Sequence, residues 1–188
     1  MKTIAVYCGS SSGNKDIYRE NAAATGRFLA QKGIDLVFGG GKVGLMGVLA
    51  DASLEAGGKV SGVIPGFLQT KEVAHEKLTE LIVVENMHQR KALIQEMSDG
   101  FIALPGGYGT LEELFEMLTW GQLGLHPKPV GLLNIAGFFD HILASFDHMV
   151  QEGFVHKINR KMVLCDHNPE DLFEQMLAYQ APLVPKWL

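Results

Sequence analysis

Residues 105 to 113, Pro-Gly-Gly-Tyr-Gly-Thr-Leu-Glu-Glu, join a three-glycine turn to the start of a helical pattern that carries carboxylates. Glycine lets a ligand approach the backbone with no Cβ in the way, and the first amides of the following helix aim their N–H groups into the same space. An anion is expected there. Thr110 and Glu113 also stand in the Thr-x-x-Glu relation of a capping box, in which both side chains would satisfy helix amides instead. The density of Gly106, Gly107 and Gly109 exceeds what a cap requires, which favours a site.

Two more loops invite chemistry. Gly9-Ser10-Ser11-Ser12-Gly13 offers hydroxyls and amides that suit a phosphate. It also satisfies Gly-x-Ser-x-Gly with Ser11 central, but a hydrolase elbow belongs in the middle of a larger sheet, with an acid and then a histidine following, and that context is missing. Gly39-Gly40-Gly41-Lys42-Val43-Gly44 fits Gly-x-Gly-x-x-Gly between a strand and a helix. A dinucleotide site wants an acid about 20 positions on. Here Val60-Ser61-Gly62-Val63-Ile64-Pro65 supplies none, and Lys42 is followed by valine where a phosphate-binding loop needs Ser or Thr. The reading is a backbone cradle, through Gly39, Gly40 and Gly41, for one phosphate or ribose. In Glu85-Asn86-Met87-His88-Gln89-Arg90-Lys91, a basic pair in the N-terminal half of a helix opposes the helix dipole, which suggests that it answers to something else. The competing reading is a solvated face.

The elements that must position these residues follow from periodicity. Short apolar runs at 3–8, 35–38, 59–64, 81–84, 101–104, 129–134 and 162–165 read as strands, and the intervening patterns at 15–32, 44–56, 86–98, 110–123, 137–152 and 169–179 as helices. Alternation without a linker or repeat predicts one Rossmann-like α/β domain over 1–188. It is a doubly wound, mostly parallel sheet of six or seven strands with helices on both faces. Right-handed crossovers put the strand-to-helix loops on one edge, where ligands bind near the reversal of strand order.

Composition narrows the function classes. With 188 residues, 47% of them hydrophobic, the chain fills one core, and a net charge of −5 disfavours nucleic acid. No stretch is long enough for a signal core or a membrane span, so a cytoplasmic protein is expected. Cys8 and Cys165 are isolated, and seven histidines, among them His141 and His148, form no ligand-like cluster, so neither a disulfide nor a metal site is expected.

Gly-Gly-Gly-Lys-Val-Gly-Leu-Met-Gly at 39–47, Met-His-Gln-Arg-Lys at 87–91 and the 105–113 motif together resemble the "Lonely Guy" family of cytokinin-activating nucleoside 5′-monophosphate phosphoribohydrolases, from the first strand to about residue 180. The resemblance implies cleavage of the N-glycosidic bond of AMP or an N6-modified AMP, with no cofactor, in a homodimer some of whose helices serve both active sites. It assigns catalysis to Arg90 and Glu113. It assigns substrate contacts to Glu72, Arg90, Lys91, the loop of Gly107, Tyr108, Gly109, Thr110, Leu111, Glu112 and Glu113, and Thr119. Ser10, Ser11 and Gly39 to Gly41 are added from strand-end geometry. Positive charge at C1′ and the ring oxygen calls for a fixed carboxylate. Glu113, read in the first helical turn and expected to be kept ionised there by the dipole and by amide hydrogen bonds, would stabilise that charge, orient the ribose hydroxyls or position the water. Arginine is a poor proton donor at neutral pH, so Arg90 is read as an electrostatic clamp on phosphate or departing base. The apolar residues Leu114, Leu118, Trp120, Leu123 and Leu125 would supply the dimer surface, or else ordinary core. An older lysine decarboxylase label in the family finds no lysine in a Schiff-base context. A non-catalytic nucleotide or molybdenum-cofactor carrier on the same fold is the alternative, and the pairing of Arg90 with Glu113 counts against it.

Overall fold

Seven apolar segments become strands: β1 (Thr3–Tyr7), β2 (Asp35–Phe38), β3 (Val60–Pro65), β4 (Glu80–Val84), β5 (Gly100–Ala103), β6 (Val130–Leu133) and β7 (Val163–Asp166). The structure is a computed structural model that describes residues 1–69 and 74–182. All six strand pairings are parallel, in the order β4-β3-β2-β1-β5-β6-β7. Burial explains the sequence pattern: β2, β5 and β6 are apolar almost throughout because both faces are covered, whereas edge strands β4 and β7 are only partly buried.

The helices are α1 (Asp16–Gln31), α2 (Gly44–Glu55), α3 (Gly66–Gln69), α4 (Met87–Met97), α5 (Tyr108–Gln122), α6 (Asp140–Gln151), α7 (Lys157–Arg160) and α8 (Pro169–Ala178). α1, α2 and α8 seal one face with Phe28, Leu29, Leu45, Leu49, Leu172 and Phe173. α4, α5 and α6 seal the other with Ile94, Leu114, Met117 and Phe146. The chain builds outward from β1 to β4, then returns to lay β5 on the opposite side of β1. The loops after β1 and β5 therefore part at a switch point, where this architecture leaves a crevice. They stay joined at the base, since Gly9 N–H donates to the Pro105 carbonyl at 3.1 Å. Leu45 N–H, at the start of α2, donates to the Gly9 carbonyl at 3.0 Å. Gly44 lies so close behind Ser10 that a Cβ would stand 2.3 Å from its carbonyl carbon, so the packing of α2 on the loop after β1 requires glycine there.

Periodicity did not disclose α3, α7 or the 3₁₀ turn at Ile135–Gly137, each too short to show a repeat. That turn contains Ala136 at φ 52, a left-handed conformation unfavourable for alanine. Asn134 holds it: its Oδ1 accepts from Phe139 N–H and its Nδ2 donates to Asp140 Oδ1, both at 2.7 Å. Relief of the left-handed penalty outweighs the extra chain entropy of glycine, so Ala136→Gly is expected to stabilise the fold by about 1 kcal/mol and raise the thermal midpoint by about 2–4 °C. A lowered midpoint in scanning calorimetry would refute the strain.

Candidate active site

A cleft of about 270 Å³ opens at the switch point. Cys8, Gly9 and Ser10 line it from the end of β1, Met46 from α2, Leu68 from α3, Met87 and Arg90 from α4, and Gly107 to Thr110 with Glu112 and Glu113 from α5. Asn86 starts α4 by accepting the Gln89 N–H at 3.0 Å, which sets Arg90 in the first turns of that helix. The Arg90 side chain runs inward, and the residue is 6% exposed. Its Nη2 donates to the Gly39 carbonyl at 3.1 Å and its Nη1 approaches Met87 Sδ at 3.7 Å. Its buried Nε has no hydrogen-bond partner among the described residues. Gly39 is what admits the guanidinium, because a Cβ there would sit 1.9 Å from Nη2.

Glu113 stands on the same wall, above two buried neutral groups. Burial first, and the Glu113 charge second, push the Cys8 thiol far above its ordinary range. The Tyr7 phenol is likewise raised by burial, then by Glu113, Glu116 and Glu112, with Arg90 acting in the opposite sense. Both groups keep their protons at neutral pH. Beside them, Lys91 Nζ is gripped by Glu112 Oε1 at 2.5 Å and Glu116 Oε1 at 2.9 Å. Burial pulls this ammonium down, but the two carboxylates more than compensate and leave it raised.

Several expected residues converge and others do not. α5 begins at Tyr108, with Gly107 as its N-cap and no side-chain capping bond. The capping box therefore does not form: Thr110 is already inside the helix, and Glu113 lies in the second turn, beyond the end of the helix where the dipole acts most strongly. The reason is local, since the glycines adopt the entry geometry without a hydroxyl cap. A Cβ on Gly107 or Gly109 would meet nothing within 4 Å, which leaves the helix entry open. Leu111 packs against the core under α5 and is not on the cleft wall. Ser10 lines the cleft, whereas Ser11 and Ser12 line an adjoining hollow of about 240 Å³ with Tyr18 and Phe138. Gly39 reaches the site through its carbonyl, but Gly40 and Gly41 are used elsewhere. The Gly40 carbonyl accepts from His75 N–H at 3.0 Å, and Gly41 bridges Ala74. Thr119 donates to the Phe115 carbonyl at 2.7 Å and lines a separate apolar hollow with Phe115, Leu118, Phe146 and Met149. Glu72 lies outside the described residues.

Residue spacing missed Cys8, Met46, Leu68 and Met87 on the wall, as well as Tyr7 and Glu116 behind it. Two signals were present: Met87 precedes Arg90 by one helical turn, and Glu116 follows Glu112 by one. Among the described residues, no group of three His, Cys, Asp or Glu could hold a metal, and no helix is long and apolar enough to cross a membrane. The Ser11 hydroxyl accepts from Gly13 N–H at 3.4 Å, and among the described residues no histidine lines its hollow as the serine-hydrolase reading would need.

By its architecture the chain is a Rossmann-like α/β protein with a cleft at the switch point of its sheet. The molybdenum cofactor binding protein from Rippkaea orientalis shares the fold at a TM-score of 0.70 and 24% identity, over 94% of this chain and 96% of that one. The molybdenum cofactor carrier protein from Chlamydomonas reinhardtii does so at 0.70 and 21%, over 95% and 99%. Sequence is more specific. Residues 46–176 match a family described as "Possible lysine decarboxylase". Two cytokinin riboside 5′-monophosphate phosphoribohydrolases of Arabidopsis thaliana are each 48% identical, over 99% and 96% of this chain and 85% and 83% of theirs. The chain belongs to this phosphoribohydrolase family. Among the described residues the cleft wall carries no lysine of the kind a pyridoxal enzyme needs, and Lys91 behind it stands in two ion pairs that favour its charged form.

Proposed function

We propose that the protein hydrolyses the N-glycosidic bond of a nucleoside 5′-monophosphate, AMP or an N6-modified AMP of the cytokinin type, releasing free base and ribose 5-phosphate. The observation that carries this reading is a buried arginine whose Nε–H has no partner among the described residues, on the same cleft as Glu113 and a helix entry without a side-chain cap. The amides entering α5 and the Ser10 hydroxyl receive the phosphate, and Arg90 clamps its charge or that of the departing base. As the bond from C1′ to the base breaks, its electrons leave with the base, and the Glu113 carboxylate faces the positive charge left on the ribose. Water adds its oxygen to C1′ and gives up a proton, and the base gains one. Met46, Leu68 and Met87 supply apolar wall for the base and its substituent.

The test is incubation with AMP, isopentenyladenosine monophosphate and the corresponding nucleosides, with free base followed by chromatography. Base from the phosphates alone supports the reading and ranks the two substrates. Base from none of them would leave the alternative of a carrier, as the Chlamydomonas neighbour is named.

In this reading the enzyme is a cytoplasmic homodimer with a small-molecule substrate and no nucleic-acid or membrane partner. The hollow formed by Phe115, Leu118, Thr119, Phe146 and Met149 supports the dimer, since a partner's helix would cover it and Thr119 would then lie at a shared boundary. Phe115 is 37% exposed and meets Phe146 edge-on. Phe115→Asp is expected to convert a dimer into monomers in sedimentation velocity. A monomeric parent, or a variant that stays dimeric, would remove this surface from consideration.

A further inference from the structure

The reading above gives no part to residues 74 and 75, which are fastened to the glycine loop after β2. The peptide units on either side of Gly40 each carry one hydrogen bond. The Gly39 carbonyl accepts from Arg90 Nη2 at 3.1 Å, and the Gly40 carbonyl accepts from His75 N–H at 3.0 Å. We infer that His75 is a positioning residue: held to α2 by its side chain, it fixes the backbone at Gly40 and so aims the Arg90 guanidinium into the cleft.

The loop needs such a device because of its composition. Three consecutive glycines leave their carbonyl directions to outside contacts, since no side chain of their own restricts φ and ψ. Gly40, at φ 78, lies between the two bonded carbonyls, so rotation about that one residue sets the angle between them. β3 packs directly on it, since a Cβ on Gly62 would stand 2.7 Å from Gly40 Cα. Further restraint comes from His75 and from the bridge between Gly41 and Ala74.

His75 in turn is fixed by its imidazole. The residue is 6% exposed and both ring nitrogens are engaged. Nδ1 accepts from Lys77 N–H at 3.3 Å, which leaves Nε2–H to donate to Asp51 Oδ1 at 3.0 Å. Asp51 stands on α2, and α2 packs so tightly on the same loop that a Cβ on Gly47 would lie 2.1 Å from the Lys42 carbonyl oxygen. The imidazole therefore ties the Gly40 hydrogen bond to a helix that cannot shift independently of the loop. Arg90 depends on this arrangement. Its buried Nε has no partner among the described residues, so loss of the Gly39 carbonyl would leave the guanidinium, among those residues, only the weak contact with Met87 Sδ at 3.7 Å.

The activity readout rests on the phosphoribohydrolase reading. His75→Ala is expected to raise KM for AMP and lower kcat together, so that kcat/KM falls about 20-fold. In an Arg90→Ala background the same change should cost less than about twofold, because the side chain it positions is gone. An equal loss in both backgrounds, or no loss in a folded His75→Ala protein, overturns the inference. Should His75→Ala not fold, or Arg90→Ala be too slow to compare, Asp51 carries the test, since its side chain is 58% exposed and off the cleft wall. Asp51→Ala should raise KM about threefold. Asp51→Asn keeps an oxygen for Nε2–H and should stay near the parent. Loss of a negative charge would by itself ease the binding of an anion, and equally in both variants. Any result in which the two variants behave alike therefore overturns the inference. Should the wild type release no base, the functional reading fails separately, and nitrogen-15 NMR of the Arg90 Nε–H, assigned by its loss in Arg90→Ala, then decides. Its solvent exchange should be about fivefold faster in Asp51→Ala than in Asp51→Asn or the wild type, and equal rates would sink the proposal.

Discussion

Replacing Glu113 with glutamine is expected to lower turnover by about 10³-fold while the thermal midpoint stays within a degree or so of the parent. Glutamine preserves the shape and one carbonyl acceptor but removes the negative charge, and charge is what the cationic ribose requires. Among the described residues the neighbourhood offers no substitute facing the same way: the Cys8 thiol and Tyr7 phenol are held neutral, first by burial and then by Glu113 itself. Glu112 is occupied by Lys91. KM for AMP should change little if the carboxylate acts mainly in the transition state. A variant that retained a tenth of the parent's kcat would assign the stabilising charge elsewhere.

Arg90→Ala should be comparably severe but with a different signature, a KM increase of about 10²-fold together with a fall in kcat, since the guanidinium would bind phosphate in the ground state and steady charge during cleavage. Lysine should not rescue it. An ammonium is a point charge and cannot reproduce a planar fork that spans the Gly39 carbonyl and the cleft. Gly39→Ala offers a second route to the same defect from a residue off the cleft wall, because its Cβ would overlap Nη2 at 1.9 Å and drive the side chain out of place. Steady-state kinetics on all three, with circular dichroism to establish folding, makes the comparison. If Gly39→Ala lost activity while Arg90→Ala kept it, the arginine would be structural and the phosphate clamp would lie elsewhere.

The positions of the strands and long helices were legible because they depend on local periodicity, and the glycine loops because a strand that ends in glycine announces an edge. Gly106 to Glu113 was legible as a site for the same reason, although the start of α5 was placed two residues late. A hydroxyl followed three residues on by a carboxylate imitates a cap, and only the path of the backbone from Gly107 shows that none is used.

The roles within the site were decided at longer range. Arg90 finds its acceptor 51 residues away, and that contact exists because α4 packs beneath the end of β2. Gly39, Gly40 and Gly41 form one motif in sequence, yet the first supports Arg90 while the other two fasten residues 74 and 75. Thr119 shares a helix with Glu113 but lies on a different hollow, because six residues along a helix turn a side chain well away from its starting face. The sequence by itself thus determined an alternating α/β domain, its loop edge, its family and the residue types available for chemistry. Those follow from short-range steric and hydrophobic patterns. Which charge faces the ligand and which is spent on a neighbour was left to tertiary structure, because ion pairs and burial depend on the order in which the strands assemble.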